Sequence, residues 1–183
     1  PLTGKEYSQD MIHQQALTFI RNHADKPFFA CITYTLPHAG LEQPDDSILK
    51  MYSGKFPETP VGIQGDYVAT DKPRAQYAGM VTRLDAYVGE IRKELKSLGL
   101  DDNTLLIFTS DNGSHLEGGG DPAFFTNKRT LRDTKRSLYE GGIRVPTIME
   151  WRGTISAGVK SELPSAFWDF MPTFVHLTHQ QKT

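Results

Sequence analysis

The chain reads as an α/β protein, with a mostly parallel sheet flanked by crossover helices, because predicted helices and strands alternate along it. Three observations carry that reading. A long helical period occupies residues 73–98, short apolar runs of strand length lie on either side of it, and polar clusters follow those runs. In open α/β sheets, ligands collect beyond the carboxyl ends of the strands.

From Tyr7 to His23, apolar Ile12, Ala16, Phe19 and Ile20 recur at helical spacing, and Ser8 is available to cap the start. Asp25-Lys26-Pro27 breaks that helix. Phe28-Phe29-Ala30-Cys31-Ile32-Thr33-Tyr34 is then a short apolar, partly β-branched run, predicted to be a strand buried on both faces. Residues 35–70 carry Pro, Gly and Asp throughout and read as a long loop.

Tyr77, Met80, Val81, Leu84, Tyr87, Val88, Ile91, Leu95 and Leu98 keep the 3.6-residue period. Pro73 fits the first turn of that helix, and Gly99 fits its stop. Thr104 to Thr109 is a second predicted buried strand, a glycine-rich loop runs from Ser110 to about Arg144, and Val145 to Trp151 is a third strand with Pro146 at its start or edge. Phe167 to Leu177 reads as a last helix, interrupted or begun at Pro172. No internal repeat, low-complexity tract or second domain is visible.

Bulk properties narrow the partners. With 183 residues and a net charge of -2 from interspersed acids and bases, the chain offers no broad field for nucleic acid or anionic lipid. It has no apolar run of about 18 residues to span a membrane. Pro1-Leu2-Thr3-Gly4 has no leader character, and a chain opening on Pro is read here as a piece of something longer. Cys31 is alone, which excludes an internal disulfide, and it reads as a small core residue.

Three polar segments are candidates for chemistry. His38 follows the first strand in Leu36-Pro37-His38-Ala39, and Asp111 and Asn112 follow the second in Ser110-Asp111-Asn112-Gly113. Lys135 precedes Tyr139-Glu140-Gly141-Gly142-Ile143-Arg144-Val145-Pro146. Each has a plain alternative: a bystander histidine, a backbone-driven turn, a solvated lysine. The functional alternative for Asp111 and Asn112 is a pair of adjacent oxygen ligands for a hard cation.

In order and spacing, these segments together with Phe28-Phe29, Pro37-His38 and Leu84-Asp85 resemble the sulfatase family, of the alkaline-phosphatase-like superfamily, from about Tyr7 to Leu177. The resemblance implies hydrolysis of sulfate esters, with carbohydrate esters favoured. It implies calcium held by Asp111 and Asn112, Lys135 on a sulfate oxygen, and His38 at the sulfate and its bridging oxygen. Glu140, Gly141, Gly142 and Arg144 would shape the loop, with an Arg-carboxylate pair expected among them. His115, just past Gly113, would sit where substrate is contacted. The resemblance suggests a periplasmic or secreted location.

The family's nucleophile is a Cys or Ser in Cys-x-Pro-x-Arg or Ser-x-Pro-x-Arg, converted to formylglycine, and no such motif occurs here. The expectation is therefore a partial catalytic domain over residues 1–183, whose nucleophile-bearing N-terminal part lies elsewhere in the same domain. Asp45-Asp46 and Asp101-Asp102 lack the setting of the family's other calcium ligands and read as solvated turn residues. The competing readings are an alkaline-phosphatase-like phosphohydrolase, and a non-catalytic module that keeps an anion pocket.

Overall fold

A computed structural model describes residues 6–126 and 131–178. The opening Pro1–Gly4 stretch and residues 127–130 of the glycine-rich loop lie outside them. The chain divides into two units, Pro1–Gly153 and Thr154–Thr183.

The first unit is organised on two helices, α1 (Ser8–Asn22) and α3 (Pro73–Ser97). The N-cap of α1 is Tyr7, which provides no side-chain bond, so the polar cap expected at Ser8 is not used. Both expected ends of α3 are present: Pro73 opens it, and Gly99, at φ 68°, closes it. Gly99 N donates to Lys96 O at 3.1 Å and Leu100 N to Leu95 O at 2.9 Å, which satisfies the last carbonyls of the helix. The buried stripe of α3 differs in part from the apolar period, since Val81 is exposed while Arg83 turns inward. Arg83 reaches Asp46 at 2.5 Å and Asp10 at 3.5 Å, and this pairing holds a buried guanidinium in place.

Two apolar clusters join these helices to the segments around them. Leu17 and Ile20 of α1 meet Ile91 and Leu95 of α3, with Phe28, Ile32, Leu98, Leu100 and Leu106 around them. Leu36, Leu41, Met80 and Tyr87 form the second, flanked by Tyr7, Tyr34, Tyr77 and Leu84. Each fully buried large side chain of this kind contributes about 1.5–3 kcal/mol. Between the clusters His13 is buried, with Nδ1 2.8 Å from the Tyr34 hydroxyl and Nε2 3.0 Å from Glu90 Oε2. Burial pushes the Tyr34 phenol up to about 12, helped by the nearby Glu90 charge.

The first predicted strand is corrected. No strand is formed over residues 27–35 among the described residues. The segment keeps a two-residue alternation instead: Phe28, Ile32 and Tyr34 pack on the clusters, while Phe29 is 71% exposed and Cys31 is exposed. The physical reason is that no described segment forms a ladder with it, while α1 and α3 cover only one side. Cys31 is thus an outward-facing residue and not the core residue expected.

The mostly parallel sheet is not confirmed, and the one strand pair described runs the other way. Its two described strands, β1 (Leu106–Phe108) and β2 (Ile148–Glu150), pair antiparallel with Ile107 opposite Met149. A parallel pair needs a crossover that carries the chain back along the sheet. Here the intervening chain turns round beyond the end of β1: Gly113 N donates to Gly142 O at 2.9 Å, and the hydroxyls of Thr109 and Thr147 lie 3.0 Å apart. The helices on that path, α4 (Pro122–Thr126) and α5 (Glu140–Ile143), are single turns.

The loop expected over residues 35–70 contains a helix, α2 (Ser47–Lys50), and a small hairpin bridged at Val61–Thr70 and Gln64–Tyr67. Asp46 is not a solvated turn residue. Its Oδ1 accepts from the amides of Ile48 and Leu49 at 3.0 and 3.3 Å, an N-cap, while its other oxygen binds Arg83. Asp101 and Asp102 are likewise engaged, both by Arg152, at 2.7 and 3.2 Å. In the second unit, a single 3-10 turn (Phe167–Asp169) leads into α6 (Phe170–Leu177), so Pro172 falls in the first helical turn, where its missing N–H costs nothing. Asp169 accepts from Ala166 N at 2.8 Å at that start.

Candidate active site

The loop after β1 is built by short-range polar contacts. Ser110 Oγ donates to Asn112 O at 3.0 Å, and Asn112 Nδ2 donates to Gly113 O at 3.0 Å. With its NH2 group so used, Asn112 keeps its Oδ1 as an acceptor. Asp111 is exposed, and its carboxylate has no hydrogen-bond or ion-pair partner among the described residues.

Lys135 arrives at this loop through backbone contacts. Its own N donates to Ser114 O at 2.8 Å, and Gly141 N donates to Arg132 O at 2.7 Å. The two loops interlock where only glycine fits: a Cβ on Gly113 would sit 1.9 Å from Gly141 O, and one on Gly141 would sit 2.0 Å from Asp133 O. Lys135 is flanked by two non-glycine residues in the left-handed region, Asp133 at φ 68° and Arg136 at φ 78°. Such backbone costs on the order of 1–3 kcal/mol per residue and persists only where its surroundings enforce it. Arg136 closes the loop from outside by pairing with Glu117 at 2.7 Å. The Glu117 carboxyl is held below the usual carboxylate range by its own backbone amide first, against the effect of burial, and then by Arg136.

His38 meets Lys135 across 97 positions of sequence, with Nε2 2.7 Å from Lys135 Nζ. Its Nδ1 lies 3.0 Å from Ala39 O. A carbonyl can only accept, so Nδ1 carries the hydrogen and Nε2 offers its lone pair to the ammonium. The His115 ring stacks 5.8 Å from that of His38. His115 is buried, and both its nitrogens lie against backbone carbonyls, Glu117 O at 3.1 Å and Pro37 O at 2.9 Å. It ties the chain after Gly113 to the residue before His38.

The sequence-selected residues His38, Lys135 and His115 are thus brought together, with Lys135 hydrogen-bonded to the loop that carries Asp111 and Asn112. The expected Arg-carboxylate pair is Arg144 with Glu140, at 3.2 Å on an exposed turn. Reading the sequence missed the Arg136–Glu117 pair and the hairpin contacts of Tyr67. Nothing in spacing or composition signals either, because both depend on how loops fold onto one another.

The donor set at Asp111 and Asn112 is all oxygen, and the carboxylate is open to a ligand. Both features fit a hard cation such as calcium. Two side chains supply only part of the roughly six to eight oxygens calcium takes. Among the described residues, no group of three or more His, Cys, Asp or Glu is placed to hold a metal. No described helix is long and apolar enough to cross a membrane.

The geometry brings a strand-end oxygen pair beside a lysine–histidine contact, and comparison with known proteins places the chain in a family. The sulfatase family model matches residues 1–180, and the chain belongs to the sulfatase family. It is 32% identical over 182 residues to the N-acetylgalactosamine-6-sulfatase of Rattus norvegicus, covering 96% of this chain and 29% of that protein. It is 32% identical over 161 residues to the N-acetylgalactosamine-6-O-sulfatase of Bacteroides thetaiotaomicron, covering 84% of this chain and 27% of that one. The crystal structure of Ps i-CgsB in complex with k-i-k-neocarrahexaose superposes with a TM-score of 0.78 at 31% identity, over 100% of this chain and 36% of that one. The chain therefore spans about a third or less of the length of these relatives.

Proposed function

We propose that residues 1–183 are the central and C-terminal part of a sulfatase catalytic domain that hydrolyses sulfate esters of carbohydrates. The observation that carries this is the 2.7 Å contact between His38 Nε2 and Lys135 Nζ beside the Asp111-Asn112 loop. It supports a site for a tetrahedral anion with one fixed cation and one proton-handling ring. Family membership and the relatives named for carbohydrate esters support the substrate class.

Lys135 binds a peripheral sulfate oxygen. His38 Nε2, released from the lysine by the incoming anion, takes up a proton from solvent in place of the ammonium contact, faces the bridging oxygen and passes that proton to it as the ester bond breaks. Nδ1 remains donated to Ala39 O, which keeps the ring oriented. His115, with both nitrogens occupied, positions the Pro37-His38 turn and takes substrate only along its ring edge. Asp111 and Asn112 would supply two oxygen ligands to a calcium ion, which would offset negative charge on the sulfate. The remaining ligands, and a formylglycine to supply the nucleophile, would come from another part of the domain. The all-oxygen pair favours this over an alkaline-phosphatase-like phosphohydrolase, whose zinc would call for histidine. A periplasmic or secreted location goes with the reading.

The test is Lys135→Ala in the full-length protein. Losing one preorganised charge contact costs about 3 kcal/mol at the transition state, on the order of a hundredfold in kcat/KM on an aryl sulfate. Lys135→Arg is also expected to be poor, because a planar guanidinium does not replace a compact ammonium. Unchanged kcat/KM in Lys135→Ala would remove the basis for the assignment. Chelation of calcium is expected to abolish turnover and its return to restore it.

A further inference from the structure

The hairpin between Val61 and Thr70 has no place in the site as described so far, yet it reaches the ring of His38. Paired amides and carbonyls close it at 2.9 Å for Val61 with Thr70 and at 3.1 Å for Gln64 with Tyr67, leaving Gly65-Asp66 as the tip. It is fastened to the loop of His115: Gln64 Oε1 accepts from Gly118 N at 2.9 Å. At its base the Thr70 hydroxyl is hydrogen-bonded to Gln76 of α3. The hairpin is therefore held by its own bridges and by two neighbours, although Ile63 and Val68 project into solvent.

Tyr67 is the residue of this hairpin that faces the site. Its ring centre lies 6.4 Å from that of His38, at 60°. One side of the ring rests on bare backbone: a Cβ on Gly118 would lie 3.4 Å from Tyr67 Cγ, and one on Gly40 would lie 3.9 Å from Cδ1. The residue is only half-buried, and its hydroxyl makes no hydrogen bond among the described residues. A half-buried tyrosine seated on glycines beside an anion site is a surface to which the C–H face of a sugar ring adheres.

We propose that the Val61–Thr70 hairpin is the lip of the substrate cleft, and that Tyr67 seats the pyranose ring that carries the sulfate. The proposal rests on the reading of His38 and Lys135 as the sulfate end. Tyr67 acts on binding and not on bond breaking, so its loss falls on KM. His38 and Lys135 act on the anion itself, so their loss falls on inorganic sulfate and on every ester alike.

The experiment uses the full-length enzyme with calcium and three variants: Tyr67→Leu, Tyr67→Phe and Lys135→Ala. Leucine keeps apolar bulk against Gly118 and Gly40 while removing the flat face, so the hairpin is not left hollow. Three quantities are measured: KM and kcat on the best substrate among N-acetylgalactosamine 6-sulfate and carrageenan oligosaccharides, kcat/KM on an aryl sulfate, and the inhibition constant of inorganic sulfate. Tyr67→Leu is expected to raise the saccharide KM about tenfold, with kcat within about threefold and sulfate inhibition unchanged. Tyr67→Phe is expected to stay near the parent. An unchanged saccharide KM in Tyr67→Leu overturns the proposal. So does a parallel rise in the sulfate inhibition constant, which would make Tyr67 a mere prop for His38. A parent that turns over the aryl sulfate and none of the saccharides overturns it while leaving the anion site standing. If Lys135→Ala leaves sulfate inhibition intact, the underlying reading fails instead.

Discussion

Replacing Gly141 with alanine tests whether the interlocked loops set the position of Lys135. The added Cβ would lie 2.0 Å from Asp133 O and 2.5 Å from Arg132 O, whereas real Cβ atoms stay beyond 3.0 Å. Both obstacles are backbone, so no side chain can swing away. Relief requires the strand of loop two residues before Lys135 to retreat by about 1 Å, and a misplacement of that size costs about a hundredfold in rate at a catalytic site. The move also strains the Gly141 N to Arg132 O bond of 2.7 Å, worth about 0.5–1.5 kcal/mol. Overpacking adds about 1–3 kcal/mol of destabilisation. The assay is kcat/KM on an aryl sulfate beside thermal unfolding, both in the full-length enzyme. A folded Gly141→Ala variant within about threefold of the parent would refute the argument that backbone contact, and not side-chain flexibility, fixes the lysine.

Gly89→Ala is the matching control: it lies within α3 with no atom within 4 Å of the new Cβ. Its expected effect is a gain of up to about 1 kcal/mol in unfolding free energy with kinetics unchanged. Leu95→Ala empties a position 4% exposed in the α1–α3 cluster. It should cost about 2–5 kcal/mol in urea unfolding, and a loss under about 1 kcal/mol would show that the cluster is not the core. The Asp46 carboxyl sits below its usual range: burial opposes this, but the Arg83 hydrogen bond and the α2 amides outweigh it. Stability from a depressed carboxyl is present above the unfolded value, about 3.9, and is lost as pH falls through the folded one. Asp46→Asn should therefore be less stable at neutral pH and show a shallower loss of Tm below about pH 4. An acid limb as steep as the parent's would count against it.

Most of α3 could be read from the sequence because its determinants are local: a proline at the start, a glycine at the stop and an unbroken apolar period. The side of α3 taken by Arg83 could not, since its partners Asp46 and Asp10 come from two distant segments. Asp46 itself was open to a better reading, for Asp before Ser-Ile-Leu-Lys is an N-cap pattern. The run from Phe28 to Tyr34 is apolar at nearly every position, so sequence alone does not tell which side is covered. The direction of β2 was hidden for a different reason. Among the described residues between 109 and 147, no helix is long enough to read as a crossover. At the site, His38, Asp111, Asn112 and Lys135 were found by resemblance to a family pattern. Their chemistry was legible, but the distance between His38 and Lys135 was not, because a span of 97 residues carries no geometric information until the loops close.

The alternation along residues 27–35 reaches beyond packing. With no ladder there among the described residues, the register of this segment is held by three knobs, Phe28, Ile32 and Tyr34, seated on α1 and α3, and by Thr35 N donating to Gln9 Oε1 at 3.1 Å. A slip of one residue would offer Pro27, Cys31 and Thr33 to the same sockets and carry His38 about 3.3 Å along the chain direction. Cysteine and threonine fill such sockets less well than isoleucine and tyrosine. The aim of a ring at the site is thus indexed by residues that never touch it, and a conservative change at Ile32 would be felt as a misplaced histidine.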